Sequence, residues 1–155
     1  MNVGAFSWKQ EGVISLWRYK EFPKKFGGWH LSGNDAGIKS LLALLQLLAD
    51  NPSVFRTVKT TPPSASLLRV PNFQQGNAPW VAPSKLHLQC APPEAPDTWE
   101  FPAELEPATL TVGGAFLPEL VSALEGIPKG KGDFCIGRAG QSSSRLCFWW
   151  WLGAA

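Results

Sequence analysis

The chain has 155 residues, three cysteines, a formal net charge of +2 and only 17% charged residues. That length suits a single domain, residues 1–155, with room for a real core. The near-neutral balance provides no field to draw it to nucleic acid or to an anionic membrane surface.

Eight tryptophans and nine phenylalanines are many for this length. With so little charge, the fold is either very compact or keeps surface for a partner. The amino-terminal MNVGAFSWKQEG has no basic segment followed by a long apolar one, so no signal peptide is read. Cys90, Cys135 and Cys147 are odd in number and make no even disulfide framework. Both facts point to a cytoplasmic protein with reduced thiols; one disulfide and one free thiol is the alternative.

In chain order, residues 13–19 (VISLWRY) mix β-branched, aromatic and polar types and suit a strand, with helical spacing almost as good. Residues 23–28 signal a turn, and Trp29, His30 and Leu31 form an extended entry to the clearest element of the chain. That element is a helix over about 34–49. Asn34 is its N-cap, Asp35 lies in the first turn, and Pro52 stops it. Asp35, Lys39, Gln46 and Asp50 fall in one stripe roughly 60° wide at about 100° per residue. Apart from Ser40 the rest of the circumference is apolar. Such a helix is covered on most sides, and its apolar run is far short of the ~18 residues of a membrane span.

Residues 54–60 alternate well enough for a strand, and residues 67–71 suggest a second, short one. Residues 73–83 read as a polar loop around Trp80. Residues 85–89 (KLHLQ) alternate cleanly and predict a half-exposed antiparallel strand. Residues 91–107 hold five prolines and five acidic residues and read as a surface loop. A strand over 109–112 and a second helix over about 115–125 follow, with Pro118 in the first turn and Gly126 at the end. Residues 133–137 and 145–151 flank a polar loop and predict a C-terminal β-hairpin. If the loop centres on Gln141, Cys135 faces Cys147. The sum is an α+β fold, a mainly antiparallel sheet packed around a buried central helix.

No residue set carries a catalytic signature. His30 and His87 are the only histidines, and either would need a tertiary contact to meet a cysteine. No CxxC or HxxxH occurs, and the three-residue spacing of His87 and Cys90 puts them on opposite strand faces, so neither metal nor cofactor is expected. Residues 130–133 (GKGD) lack the full phosphate-loop pattern and precede a strand, so they read as a turn. Glu94, Asp97, Glu100, Glu104 and Glu106 read as a solvated acidic face. The tryptophans are the unusual content, and Trp80 and Trp99, placed in loops, are the interface candidates.

The expectation is a non-enzymatic cytoplasmic protein working through a protein–protein interface, its partner another protein or a second copy. In character, with no matched residue, it is similar to small bacterial immunity proteins, which need no catalytic group. The alternatives are an enzyme with a Cys/His site assembled by tertiary contacts, and a protein with an aromatic small-molecule pocket.

Overall fold

A computed structural model describes residues 8–19, 28–52, 54–68, 80–102, 104–131, 134–137 and 144–151. The α+β expectation holds, with one difference. The strands form two sheets instead of one, and the central helix packs against strands of both.

The first sheet takes β1 (Ile14–Tyr19), β2 (Trp29–Gly33), β4 (Trp80–Val81), β8 (Phe134–Ile136) and β9 (Leu146–Phe148), in the order β4-β1-β2-β9-β8. The second takes β3 (Phe55–Lys59), β5 (Lys85–Cys90), β6 (Trp99–Glu100) and β7 (Ala108–Val112), in the order β3-β5-β7-β6. Most neighbours are antiparallel; β2 with β9 and β5 with β7 run parallel. The chain passes from the first sheet to the second through helix α1 (Asp35–Asp50), which leaves β2 and delivers β3.

Helix α1 begins where the residues require it. Asn34 sits in extended conformation, and its Oδ1 accepts from the N–H of Gly37 at 2.8 Å and of Val13 at 2.9 Å. One side chain therefore caps the helix and ties down the entry to β1. Gly37 makes that crossing feasible, because a Cβ there would collide with the Val13 carbonyl. Asp35, Lys39, Gln46 and Asp50 are all exposed, as the periodicity predicts. Ser40 is nearly buried instead. Its Oγ accepts from the Glu11 N–H, and its carbonyl from the Trp8 indole, so the amino-terminal segment covers this shoulder of the helix.

Both sheets turn a leucine-rich face inward. Leu16, Leu31 and Leu146 from the first gather with Leu86, Leu88 and Leu110 from the second and with Leu41 and Leu45 of α1 around one central point. Helix α3 (Leu117–Gly126) adds Leu120 and Leu124. It starts two residues later than the periodicity suggests. A 3-10 turn, Ile127–Lys129, extends it and ends at Gly130 in the left-handed region. The space left at the centre is about 10 Å3, no more than one water needs, and its lining is entirely apolar.

Three expectations need correction or refinement. Residues 67–68 lie not in a strand but in the one-turn helix α2 (Ala65–Leu68), because the Ser64 hydroxyl accepts from the Leu67 N–H at 3.0 Å and caps the turn. Residues 69–71, like most of the loop read over 73–83, fall outside the described residues. The proline-rich stretch 91–107 is not surface throughout: β6 lies within it, and Trp99 and Phe101 are core residues. The C-terminal hairpin has the expected register, with Cys135 opposite Cys147, and the two are joined by a disulfide instead of standing as free thiols.

Candidate functional site: the outer face of the five-stranded sheet

In most two-layer folds the outward face of a sheet is polar. The first sheet here breaks that rule because its strands do not alternate. Ile14-Ser15-Leu16-Trp17-Arg18-Tyr19 is buried at every position, and so is β2. Its inner face meets the leucine core; its outer face carries a second, aromatic cluster of Trp17, Tyr19, Cys147 and Trp149, covered by Leu67 and Leu68 of α2. Trp80, Trp150 and Trp151 pack on it and stay partly exposed.

His30 lies at the middle of this face. Strand register places Trp17 beside it on β1 and Cys147 beside it on β9. The Trp17 and Trp149 rings stack on the imidazole at 5.7 and 6.0 Å, and Tyr19 meets it edge-on at 5.1 Å. The Trp149 indole N–H donates to His30 Nδ1 at 2.9 Å, which leaves the proton of a neutral ring on Nε2. Tyr19 donates to the Leu68 carbonyl at 3.5 Å, and burial holds its phenol above the ordinary value. Arg18 points to the other face, where its guanidinium covers the Trp29 ring at 4.9 Å; desolvation lowers its pKa.

Two hydroxyls on the outer face are poorly served. Ser15 and Ser32 are opposite one another across β1 and β2, fully buried, and neither Oγ has a hydrogen-bond partner among the described residues. Most buried hydroxyls are paired, so this is a real cost to the face.

The sequence-derived interface residues divide. Trp80 lies on the edge strand β4, opposite Tyr19, and is partly exposed. Trp99 is only 2% exposed, packs on Phe116 and donates its indole N–H to the Ser144 carbonyl at 2.7 Å. Those contacts occupy both its ring and its polar tip, so a core role replaces the loop position read from the sequence.

The histidines and cysteines divide as well. His87 is on the open face of the second sheet against Phe55, ring centres 4.7 Å apart, while Cys90 on the same strand faces the core, as strand alternation requires. Burial pushes the Cys90 thiol up to about 11. Of the combinations open to the sequence, His30 with Cys147 is the one that strand register makes neighbours. Its members are separated by most of the chain, on strands paired in parallel, so no local spacing signals it. Trp150 and Trp151, like Trp80, pack on the aromatic cluster and stay partly exposed.

The five acidic residues do not act as one unit. Glu106 fastens a turn: its carboxylate accepts from the Ser84 N–H at 2.8 Å and the Ser84 hydroxyl at 2.6 Å, and these bonds lower its pKa. Among the described residues no three His, Cys, Asp or Glu side chains gather to hold a metal, and no helix is long and apolar enough to cross a membrane. Comparison with protein-family models, curated proteins and solved structures finds no match for this chain.

Proposed function

We propose that the protein works by binding a protein partner through the tryptophan rim of the five-stranded sheet, centred on Trp80 with Trp150 and Trp151. What supports this reading is one observation: three indoles, Trp80 on the edge strand β4 and Trp150 and Trp151 just after β9, rest on one buried aromatic cluster and remain partly exposed. Tryptophan on a preorganised base offers large contact area at little entropic cost, which is why it is enriched at interface hot spots. Trp99 takes no part, being committed to the core.

Trp80→Ala is the test. It removes a partly exposed side chain, so the fold is expected to survive. Partner affinity is expected to fall by about 2 kcal/mol or more, a drop of roughly thirtyfold. Wild-type affinity in the variant would remove Trp80 from the interface. Self-association is the homotypic form of the same reading, and sedimentation velocity separates it from a foreign partner.

The enzymatic alternative needs an activated thiol, and Cys90 is poorly suited to supply one. Its burial and raised pKa suppress thiolate at neutral pH. Iodoacetamide at pH 7 is expected to leave Cys90 unmodified in the folded protein and to alkylate it once unfolded. Rapid labelling of the folded form would restore the nucleophile reading. A small-molecule site in the core has even less support, given a central space of about 10 Å3.

A cytoplasmic location remains part of the proposal, with one consequence. Disulfides in that compartment are characteristically transient, and serve catalysis or redox sensing. The Cys135–Cys147 bond must then be one that opens.

A further inference from the structure

One row of side chains crosses the five-stranded sheet from Trp17 through His30 and Cys147 to Cys135. It ends in a disulfide whose two sulfurs belong to differently placed residues. Cys147 is 2% exposed and packs with Trp17, Tyr19, Leu67 and Leu68. Cys135 is exposed and stands on β8, an edge strand of the sheet. Beside it lies a surface hollow of about 390 Å3 lined by Pro118, Glu119, Ser122 and Ala123 of α3 together with Cys135 and Ile136.

Thiol–disulfide exchange is selective for the sulfur that can be reached. The incoming thiolate approaches in line with the S–S bond, from the side away from the leaving sulfur. For attack on Cys135 that side is the sheet edge with its hollow. For attack on Cys147 it is the neighbouring strand β2, where His30 and its aromatic partners fill the space.

We propose that Cys135–Cys147 is a directional thiol–disulfide exchange site, with Cys135 the attacked sulfur, Cys147 the leaving group and an external dithiol the co-substrate. One thiolate of the dithiol bonds to Cys135 Sγ as the Cys135–Cys147 bond breaks. The electron pair of that bond departs on Cys147 Sγ, which takes up a proton. The second thiolate of the reagent then attacks its own sulfur in the mixed disulfide and releases Cys135 as a thiolate, which is protonated in turn. The dithiol loses two electrons and two protons, and the cysteine pair gains them. His30 is the supporting residue. Strand register sets it beside Cys147, and the Trp149 N–H holds its Nδ1 and fixes the ring there.

The test uses the folded wild-type protein at neutral pH with glutathione to trap the first step and dithiothreitol to complete it. Iodoacetamide quenching and peptide mapping then read each cysteine. Glutathione is expected on Cys135 in at least about tenfold excess over Cys147, and dithiothreitol is expected to open the bond without denaturant. A bond that opens only in denaturant, or an adduct on Cys147 as often as on Cys135, would overturn the proposal. With oxidised glutathione, whose own disulfide is the one exchanged and which releases one reduced glutathione, Cys147→Ser is expected to take the adduct on Cys135, whereas Cys135→Ser leaves Cys147 unmodified; the reverse pattern would also overturn it. His30→Phe is expected to slow opening about tenfold and His30→Gln to recover most of that rate. Equal rates in all three proteins would remove His30 from the mechanism.

Discussion

The two sheets share one leucine core and differ in what they turn away from it. The outer face of the four-stranded sheet carries Thr57, Lys59, Lys85, His87, Gln89, Thr109 and Thr111, all partly or fully exposed. The outer face of the five-stranded sheet carries Ser15, Trp17, Tyr19, His30, Ser32 and Cys147, all buried. The first is an ordinary solvated face, where side chains contribute little beyond β-propensity. The second is a second core built without enough apolar residues. It encloses a histidine and two hydroxyls that find no partner among the described residues, and it leaves Trp80, Trp150 and Trp151 at its margin. A face that is costly to bury and incompletely covered is a reasonable place for function, since local consistency tends to fail where something besides stability is selected.

Substitutions can break this contrast. Trp17→Ala on the covered face should lose about 3–5 kcal/mol in urea unfolding, the range for deleting a fully buried large aromatic. Thr109→Ala, on the open face, should stay within about 0.5 kcal/mol of wild type. Similar losses in both would mean that the outer faces are not different in kind.

How much of this could be read beforehand depends on the distance over which each signal acts. The Asn34 cap, the exposed stripe of α1 and the alternation of β5 are local and were legible, and the Cys135–Cys147 register was legible on the condition that the loop centres on Gln141. The division into two sheets was not, because the parallel pairings of β2 with β9 and of β5 with β7 join distant segments. Trp99 was misplaced for a related reason. Five prolines made residues 91–107 resemble surface, while the contacts that bury its indole come from Phe116 and Ser144, well outside the window. At the site, residues 145–151 were legible as one arm of a β-hairpin. What the hairpin pattern could not supply was the neighbour, and His30 is that neighbour only through tertiary pairing.

A smaller effect of opposite sign sharpens the contrast. Ser15→Ala should be neutral or stabilise the fold by about 1 kcal/mol, since it removes a buried hydroxyl that no described group satisfies. A clear loss of stability would show that the hydroxyl has a partner after all, and that the covered face is better satisfied than its geometry indicates. Smallest is Phe55→Thr on the open sheet. Phe55 is 50% exposed and touches His87, so its replacement should move the unfolding midpoint by no more than the equivalent of about 0.5 kcal/mol.

The most direct measurement is a quantitative affinity capture from lysate of the native host, with wild type and Trp80→Ala as matched baits and both confirmed folded by circular dichroism. The account predicts a stoichiometric protein recovered by wild type and reduced at least tenfold by the variant. Equal recovery by both baits, or no partner on either, would contradict an interface at the tryptophan rim.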